Sequence, residues 1–285
     1  MKTISYLLSI IVLVILLISC EETLELDLQE STSNIVIEGL VTNIEGRQYV
    51  KISKTAGFYQ SGPTKRVTNA EVEVTDDLGQ ETMFEHNPDN DPNHEGYYYA
   101  PGFKGEIGRS YTLSVMVNSE QYEATEKLFP VTKIDALDYR VNESQKKDPK
   151  YADQYYELLS YMKEPQETVD YYLFKYFRNG QPAYFLENSD IYFTNDVGVG
   201  EDIDGFPSPV YFAATDTAKI EIYSLNRNAY LFYSDLYNLI NSDGGMFTPP
   251  PTNPRSNISN GAFGLFQVSA VNSLSTVIKK LSEDE

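Results

Sequence analysis

Apolar and polar residues alternate along much of the first half of the chain, in short runs that end at turn-forming residues. Residues 70–75 read AEVEVT, so the Ala and the two Val share one side and the polar residues the other. This period of two predicts a half-buried strand. The DDLG stretch at 76–79 supplies turn residues, and Thr82–Glu85 can return as a hairpin partner. Similar patterns predict strands at Ile35–Thr42, Tyr49–Ser53, Tyr97–Ala100, Tyr111–Val117 and Gln121–Leu128.

Short strands at this spacing predict a small β-sandwich over residues 34–130. The segments VTNAEVEVTDDLGQ and GRSYTLSV resemble the immunoglobulin- or transthyretin-like sandwiches of bacterial surface proteins. Phe129-Pro130 marks the predicted boundary of this domain. A fold alone assigns no activity, so the resemblance implies an architecture only.

Residues 131–285 are expected to form a second, β-rich domain. Val169–Phe177 is aromatic on both faces and predicts a central strand, and Ala218–Ser224 and Gly264–Val271 predict two more strands. The polar segment that starts at Asn142 predicts a loop with a short helix near Ala152–Tyr161.

One longer helix is predicted near residues 227–242, because apolar residues recur there at spacings of three and four. The pair Gly244-Gly245 is a typical C-terminal stop. The apolar face comprises Ala229, Phe232, Tyr233, Leu236, Leu239 and Ile240. The predicted fold class is therefore mainly β, an N-terminal sandwich followed by a β-rich domain that carries one packed α-helix.

The N-terminal segment has the pattern of an export signal. Lys2 precedes an apolar run, Leu7–Ile18, that is shorter than the roughly 20 residues needed to span a bilayer. Residues 17–20, LISC, resemble a bacterial lipobox, in which cleavage before the cysteine follows its lipidation. The resemblance implies a signal peptide at 1–19, diacylglycerol and N-acyl lipid on Cys20, and a lipidated tether at 20–33. The alternative is a plain anchor helix or secretory signal in which the cysteine is incidental.

Two acidic residues follow the predicted lipid attachment site. Glu21 and Glu22 resemble the surface-export signal that lipoproteins of the Bacteroidota carry behind the lipidated cysteine. The expected location is the outer membrane, with the protein lipid-anchored and facing the extracellular side. Cys20 is the only cysteine, so no internal disulfide can form.

The composition bears on partners more than on fold. The formal net charge is −20, which argues against binding to nucleic acid or to an anionic lipid surface. Tyr and Phe are abundant, at 23 and 14 residues, so the chain can bury a core and disorder does not explain its charge.

Residues suited to catalysis are scarce. The two histidines, His86 and His94, lie in one polar loop, and the sequence has no GxSxG, HExxH or phosphate-binding glycine motif. We therefore expect a non-catalytic protein without a dissociable cofactor.

The loop that holds the histidines also spaces oxygen ligands at alternate positions, as a calcium loop does. These residues are Asp89, Asp91, Asn93 and Glu95. An EF-hand would have glycine where this chain has His94 and glutamate where it has Ala100, so a solvated hairpin loop is the expected structure. Asn195–Gly205, with Asp196, Glu201, Asp202 and Asp204, is interpreted in the same way.

The order of motifs along the chain resembles a family of Bacteroidota surface lipoproteins, domain-of-unknown-function family four-two-four-nine. The matching segments are SCEETLELDL, IVIEGLVTN, YVKISKT, NAEVEVTDDLGQ, GRSYTLSV and TPPPTNPRSNISNGAFGLF. The family is often encoded beside TonB-dependent outer-membrane receptors. This implies an accessory role at such a transporter in nutrient uptake, as ligand capture or as a cap over the barrel. It supplies no catalytic residues and no ligand identity.

Two further classes of function stay open at this point. The chain can be a structural or assembly lipoprotein bound to another outer-membrane barrel or surface machine. It can also be a surface hydrolase, whose activity would depend on His86 and His94.

Overall fold

The structure is a computed structural model that describes residues 33–56, 62–151, 153–185, 190–242 and 252–281. The predicted signal peptide and the sites Cys20, Glu21 and Glu22 lie outside these residues, as does the pair Gly244-Gly245. Within the described ranges, no helix is long and apolar enough to cross a membrane.

The first half of the chain forms seven strands, which one strand from near the C-terminus joins. Their bounds are β1 Ile35–Thr42, β2 Tyr49–Lys54, β3 Glu71–Asp76, β4 Glu81–His86, β5 Tyr97–Tyr99, β6 Ser110–Val117, β7 Glu120–Lys127 and β15 Phe263–Ser269. They form an eight-stranded sheet in the order β15-β1-β2-β5-β4-β3-β6-β7. Alternating burial along β3 and β6 confirms the period of two predicted there.

The pairing of β15 with β1 joins the two ends of the described chain. The two strands run parallel, with Val36 opposite Phe263 and Thr42 opposite Ser269. Gly264 has a φ of +105°, and a Cβ atom there would lie 2.0 Å from the carbonyl oxygen of Ile37. Glycine is therefore required for this close approach.

Asn257 connects the two outermost strands of the eight-stranded sheet. Its Nδ2 donates to Oε1 of Glu126 on β7 at 2.9 Å and to the carbonyl oxygen of Phe266 on β15 at 2.8 Å. Its Oδ1 accepts from the Phe266 N–H at 2.9 Å. The sheet thus curls around one apolar core, which includes Ile37, Ile52, Leu113, Val115, Phe266 and Val268.

The rest of the chain forms two smaller sheets. The strands are β8 Ile134–Val141, β9 Gln154–Lys163, β10 Tyr171–Arg178, β11 Gln181–Pro182, β12 Tyr192–Asn195, β13 Asp202–Ala213, β14 Thr217–Leu225 and β16 Val271–Val277. One sheet has the order β13-β9-β8, and the other has the order β11-β10-β14-β16 with β12 beside β10. Both contribute to a second core, which includes Tyr156, Leu158, Phe212, Ile220 and Ile222.

Helical structure in the described residues is limited. Short 3₁₀ turns occur at Pro92–His94 and Pro149–Tyr151, helix α1 spans Glu143–Lys146, and helix α2 spans Arg227–Ile240. Helix α2 begins after Asn226, whose side chain accepts a hydrogen bond from the Ala229 N–H at 2.8 Å. The helix predicted near residues 227–242 is confirmed.

The mainly β fold class is likewise confirmed, but one predicted element is wrong. The segment expected to carry a helix near Ala152–Tyr161 instead forms β9, the central strand between β8 and β13. Five successive residues of β9, 156–160, are buried. Burial on both faces removes the alternation that identifies a strand, so the apolar run cannot be told from a helix by its pattern.

The predicted strand Gly264–Val271 comprises most of β15 and the first residue of β16, with a break at Ala270. Strand β15 belongs to the segment assigned to the second domain, 131–285, and pairs with β1 of the segment 34–130.

Candidate functional site

A cleft of about 480 Å³ lies between helix α2 and the outer face of the eight-stranded sheet. Small-molecule sites commonly have volumes of roughly 300–1,000 Å³ and mainly apolar walls. The cleft fits this description and is the candidate ligand site.

One wall of the cleft follows from the alternation of β1. Ile35, Ile37 and Val41 are buried in the core of the curled sheet, so the intervening side chains point outwards. Those side chains are Val36, Glu38 and Leu40, and all three line the cleft. Glu38 also accepts a hydrogen bond from Lys51 Nζ at 2.7 Å, so its charge is already paired.

The opposite wall is the apolar face of α2. Phe232, Tyr233 and Leu236 line the cleft and are only half-buried. Burial raises the pKa of the Tyr233 phenol, which therefore stays protonated and donates to Oε1 of Gln267 on β15 at 2.7 Å. This bond ties the helix to the sheet at the floor of the cleft.

Lys175 of β10 is the unpaired charge in the cleft. Its ammonium lies 4.6 Å from the centre of the Tyr223 ring, an arrangement that favours a cation. In the described part of the chain it forms no hydrogen bond or ion pair. Partial removal of water by neighbouring atoms lowers the pKa of Lys175, and nearby Glu221 acts in the opposite direction.

A charged network lies beside Lys175. Arg47, from the β1–β2 connection, donates two hydrogen bonds of 2.9 Å to the carboxylate of Glu221 on β14. Lys219 Nζ lies 2.5 Å from the same carboxylate, and Tyr223 donates to it at 2.8 Å. Three cations, Arg47, Lys219 and Lys175, thus lie near the one carboxylate of Glu221. This end of the cleft therefore has a net positive charge, although the chain as a whole is acidic.

The loop from His86 to Glu95 has a local structural role. Oδ1 of Asp91 accepts from the backbone N–H and the side-chain amide of Asn93, at 2.8 and 2.9 Å. These hydrogen bonds from Asn93 lower the pKa of Asp91. Within the described residues, the carboxylates of Asp89, Asp91 and Glu95 do not lie close enough together for all three to bind one ion. Calcium binding by this loop stays a prediction.

The polar contacts of the two histidines are local to the loop. Nε2 of His86 accepts from the Gly96 N–H at 3.1 Å, which closes the loop. His94 is half-buried, and its Nδ1 lies 3.8 Å from Oδ2 of Asp91. Within the described residues, neither histidine has a hydroxyl group as a hydrogen-bond partner.

Sequence reasoning found part of the cleft and missed the rest. It identified the apolar face of α2 as that of a packed helix, without a cleft beside it. It did not find Lys175, because the predicted strand 169–177 gives no sign that one side of its centre opens to a cleft. It also missed Glu164 and Asp170, which lie close to Asp196 in the structure.

Comparison with known families assigns the chain to one of them. The family model described as "Domain of unknown function (DUF4249)" matches residues 21–275. The chain therefore belongs to this family, as the order of its motifs indicated. No curated protein matches the chain significantly.

Proposed function

We propose that the protein is a lipid-anchored accessory of a TonB-dependent outer-membrane transporter, and that it captures a ligand without catalysis. The observation that carries the proposal is the cleft beneath α2, which combines apolar walls with an unpaired cation. Cys20 provides the anchor in this proposal, and Glu21 and Glu22 direct the protein to the extracellular side of the outer membrane.

The cleft favours a particular class of ligand. Val36, Leu40, Phe232 and Leu236 offer apolar contacts, and removing apolar surface from water stabilises a complex by about 25 cal/mol per Å². Lys175 offers a positive group that no protein carboxylate neutralises directly. A small, mainly apolar molecule with one anionic group satisfies both features.

The contacts of the histidines support a non-catalytic role. General acid–base catalysis needs a titratable group within hydrogen-bond reach of the reacting atoms. Nε2 of His86 already accepts a hydrogen bond from the Gly96 N–H, and His94 lies on a largely exposed loop. Neither histidine lines the cleft.

The partner is tested by affinity purification of the lipidated protein from native membranes. A TonB-dependent receptor should co-purify with the wild-type chain and be lost with the Cys20→Ser variant, which cannot be lipidated and serves as the control. Barrel-assembly or motility components in place of such a receptor would overturn this part of the proposal and favour the assembly role.

The ligand site is tested separately with 8-anilinonaphthalene-1-sulfonate, a dye that combines an apolar body with an anion. Leu236→Glu should place a carboxylate in the cleft, repel the sulfonate and weaken dye binding about tenfold, equivalent to about 1.4 kcal/mol. Asn238→Glu adds the same side chain at an exposed position of α2 and should bind as the wild type does. Equal binding by the two variants would exclude the cleft as the dye site.

A further inference from the structure

The carboxylates of Glu164, Asp170 and Asp196 converge at the ends of three strands. Glu164 directly follows β9, Asp170 directly precedes β10, and Asp196 directly follows β12. One carboxylate oxygen from each residue lies within 4.8 Å of the others. Three groups of like charge at this separation repel each other unless a cation or a proton lies between them.

Among the residues that the structure describes, Glu164 differs from the other acidic residues buried as whole residues in the two smaller sheets, because it has no basic partner. Arg140 Nε lies 2.6 Å from Glu157, Arg178 Nε lies 3.5 Å from Asp216, and Glu221 has both Arg47 and Lys219. Glu164 is 3% exposed, and its neighbours are two further carboxylates and two hydroxyl groups. A buried charge normally requires a counter-charge or a metal ion. In the described residues, no Lys or Arg supplies that counter-charge to Glu164.

Asp196 adds a second, separate observation. The residue as a whole is half-buried, but its carboxylate is buried, and the Oδ1 atom has no hydrogen-bond partner in the described part of the chain. A buried carboxylate oxygen without a donor is costly, because it has lost water and gained nothing in exchange. An ion bound among the three residues would give this oxygen a partner.

The space and the donor atoms fit a hard cation. A cavity of about 120 Å³ lies beside the cluster, and both Glu164 and Asp196 line it. The cluster offers oxygen atoms and no nitrogen or sulfur, which favours calcium or magnesium over zinc. Calcium lies about 2.4 Å from its ligands, so two of its ligands are at most about 4.8 Å apart, and the three carboxylate oxygens lie within this limit.

We propose that Glu164, Asp170 and Asp196 bind one calcium ion. Tyr172 is a positioning residue, because its hydroxyl donates to Oε1 of Glu164 at 2.5 Å. Oε2 accepts one long hydrogen bond, of 3.4 Å from the Thr132 hydroxyl, and keeps a lone pair for the ion. The ion connects the end of β9, in the three-stranded sheet, to β10 and β12 in the other small sheet. Its role is to hold together the loops at this end of the two sheets.

The proposal differs from both calcium motifs that the sequence suggests. The loop Asp89–Glu95 has its carboxylates in local turns, and in Asn195–Gly205 the residues Glu201, Asp202 and Asp204 are exposed. Of the second segment only Asp196 takes part, together with two residues that lie about thirty positions earlier in the chain.

Calcium-dependent thermal unfolding of the full chain tests the proposal, after removal of metal with EDTA and at constant ionic strength. Calcium should raise the unfolding temperature by several degrees, in a saturable way, because it binds the folded state alone. The Asp196→Asn variant should lose this rise. Asp204→Asn removes the same charge from an exposed position of the same segment and should keep it, as should Asp91→Asn in the other loop.

Three outcomes would overturn the assignment. The first is an unchanged unfolding temperature of the wild type at a calcium concentration of about 10 mM, roughly ten times the dissociation constant of weak calcium modules. The second is an equal rise with Asp196→Asn, and the third is a rise with magnesium as large as that with calcium.

A second measurement needs no variant, in case Asp196→Asn does not fold. Terbium(III) replaces calcium and emits when a nearby tyrosine is excited, and Tyr172 contacts Glu164 directly. One terbium ion per chain, displaced by calcium, supports the site. The absence of tyrosine-excited emission would overturn it.

Discussion

The curled eight-stranded sheet and the two smaller sheets bury different kinds of side chain. Of the five acidic residues that are buried as whole residues in the described ranges, one, Glu126, belongs to the first region. The other four, Glu157, Glu164, Asp216 and Glu221, belong to the second. Both cores are mainly apolar, but the polar residues that the first region buries are nearly all uncharged, whereas the second region also buries charged groups whose contribution depends on how well each is paired.

The two regions therefore contribute differently to the candidate sites. The first region supplies a rigid wall for the cleft, since β1 and β15 are fixed by the core on their inner faces. The second region supplies Lys175 of the cleft and the acidic cluster. Substitutions should therefore act through steric fit in the first region and through charge in the second.

The largest effect is expected at Gly264. Gly264→Ala places a Cβ atom about 2.0 Å from the Ile37 carbonyl oxygen in a backbone with φ of +105°. The free energy of unfolding should fall by about 4 kcal/mol or more, because β1 and β15 cannot both keep their positions. Urea denaturation measures the change.

Gly79→Ala is the matched control for this variant. Its φ of +80° imposes a similar conformational strain, but nothing lies within 4 Å of the added atom. The expected loss is about 1 kcal/mol. Equal losses at the two positions would mean that the pairing of β15 with β1 does not limit stability.

An intermediate effect, dependent on pH, is expected at Glu221. Burial acts to raise the pKa of Glu221, but hydrogen bonds from Arg47, Lys219 and Tyr223 outweigh it and lower the pKa to about 2, from an ordinary value of 4.5. A group whose pKa is lowered by folding stabilises the protein above its unfolded pKa, and this stability is lost as the pH falls. Relative to Glu221→Gln, the wild type should lose on the order of 2 kcal/mol between pH 4.5 and about 2.

Urea denaturation across this pH range measures the difference between the two proteins. Glu71→Gln, at an exposed position of β3, is the control and should keep the wild-type profile. A Glu221→Gln profile parallel to that of the wild type would show that the Arg47–Glu221 pair does not stabilise the second region.

The smallest effect is expected for a charged pair of the first region. Lys51 Nζ lies 2.7 Å from Glu38, whose side chain is 46% exposed. Lys51→Met keeps the apolar stem and removes the charge, and it should cost about 0.5 kcal/mol or less. A loss above about 1 kcal/mol in the same urea assay would mean that charge pairing matters in both regions alike.

The sequence predicted those elements whose two sides differ. Strands β3 and β6 alternate, and α2 repeats at three and four, so each has a pattern that identifies it. Strand β9 is buried on both faces, so its pattern wrongly predicts a helix. Its neighbours β8 and β13 determine its conformation, and they are not visible in a local pattern.

The candidate sites follow the same division. Phe232 and Leu236 could be assigned to one helix face, but whether that face is packed or lines a cleft depends on β1 and β15. Asp196 was noticed among nearby acids, and its partners Glu164 and Asp170 were not. Three strand ends meet there only after both small sheets have formed, so spacing along the chain gives no sign of the cluster.

The parallel pairing of β1 with β15 also sets the order in which the chain can fold. Val36 and Phe263 are neighbours in space but belong to opposite ends of the sequence. Bringing such distant segments together is entropically costly, and chains dominated by distant contacts fold slowly. Until β15 is available, the edge of β1 has open hydrogen-bonding groups that invite pairing with other chains. We therefore expect the chain to be prone to aggregate in the period before β15 pairs with β1.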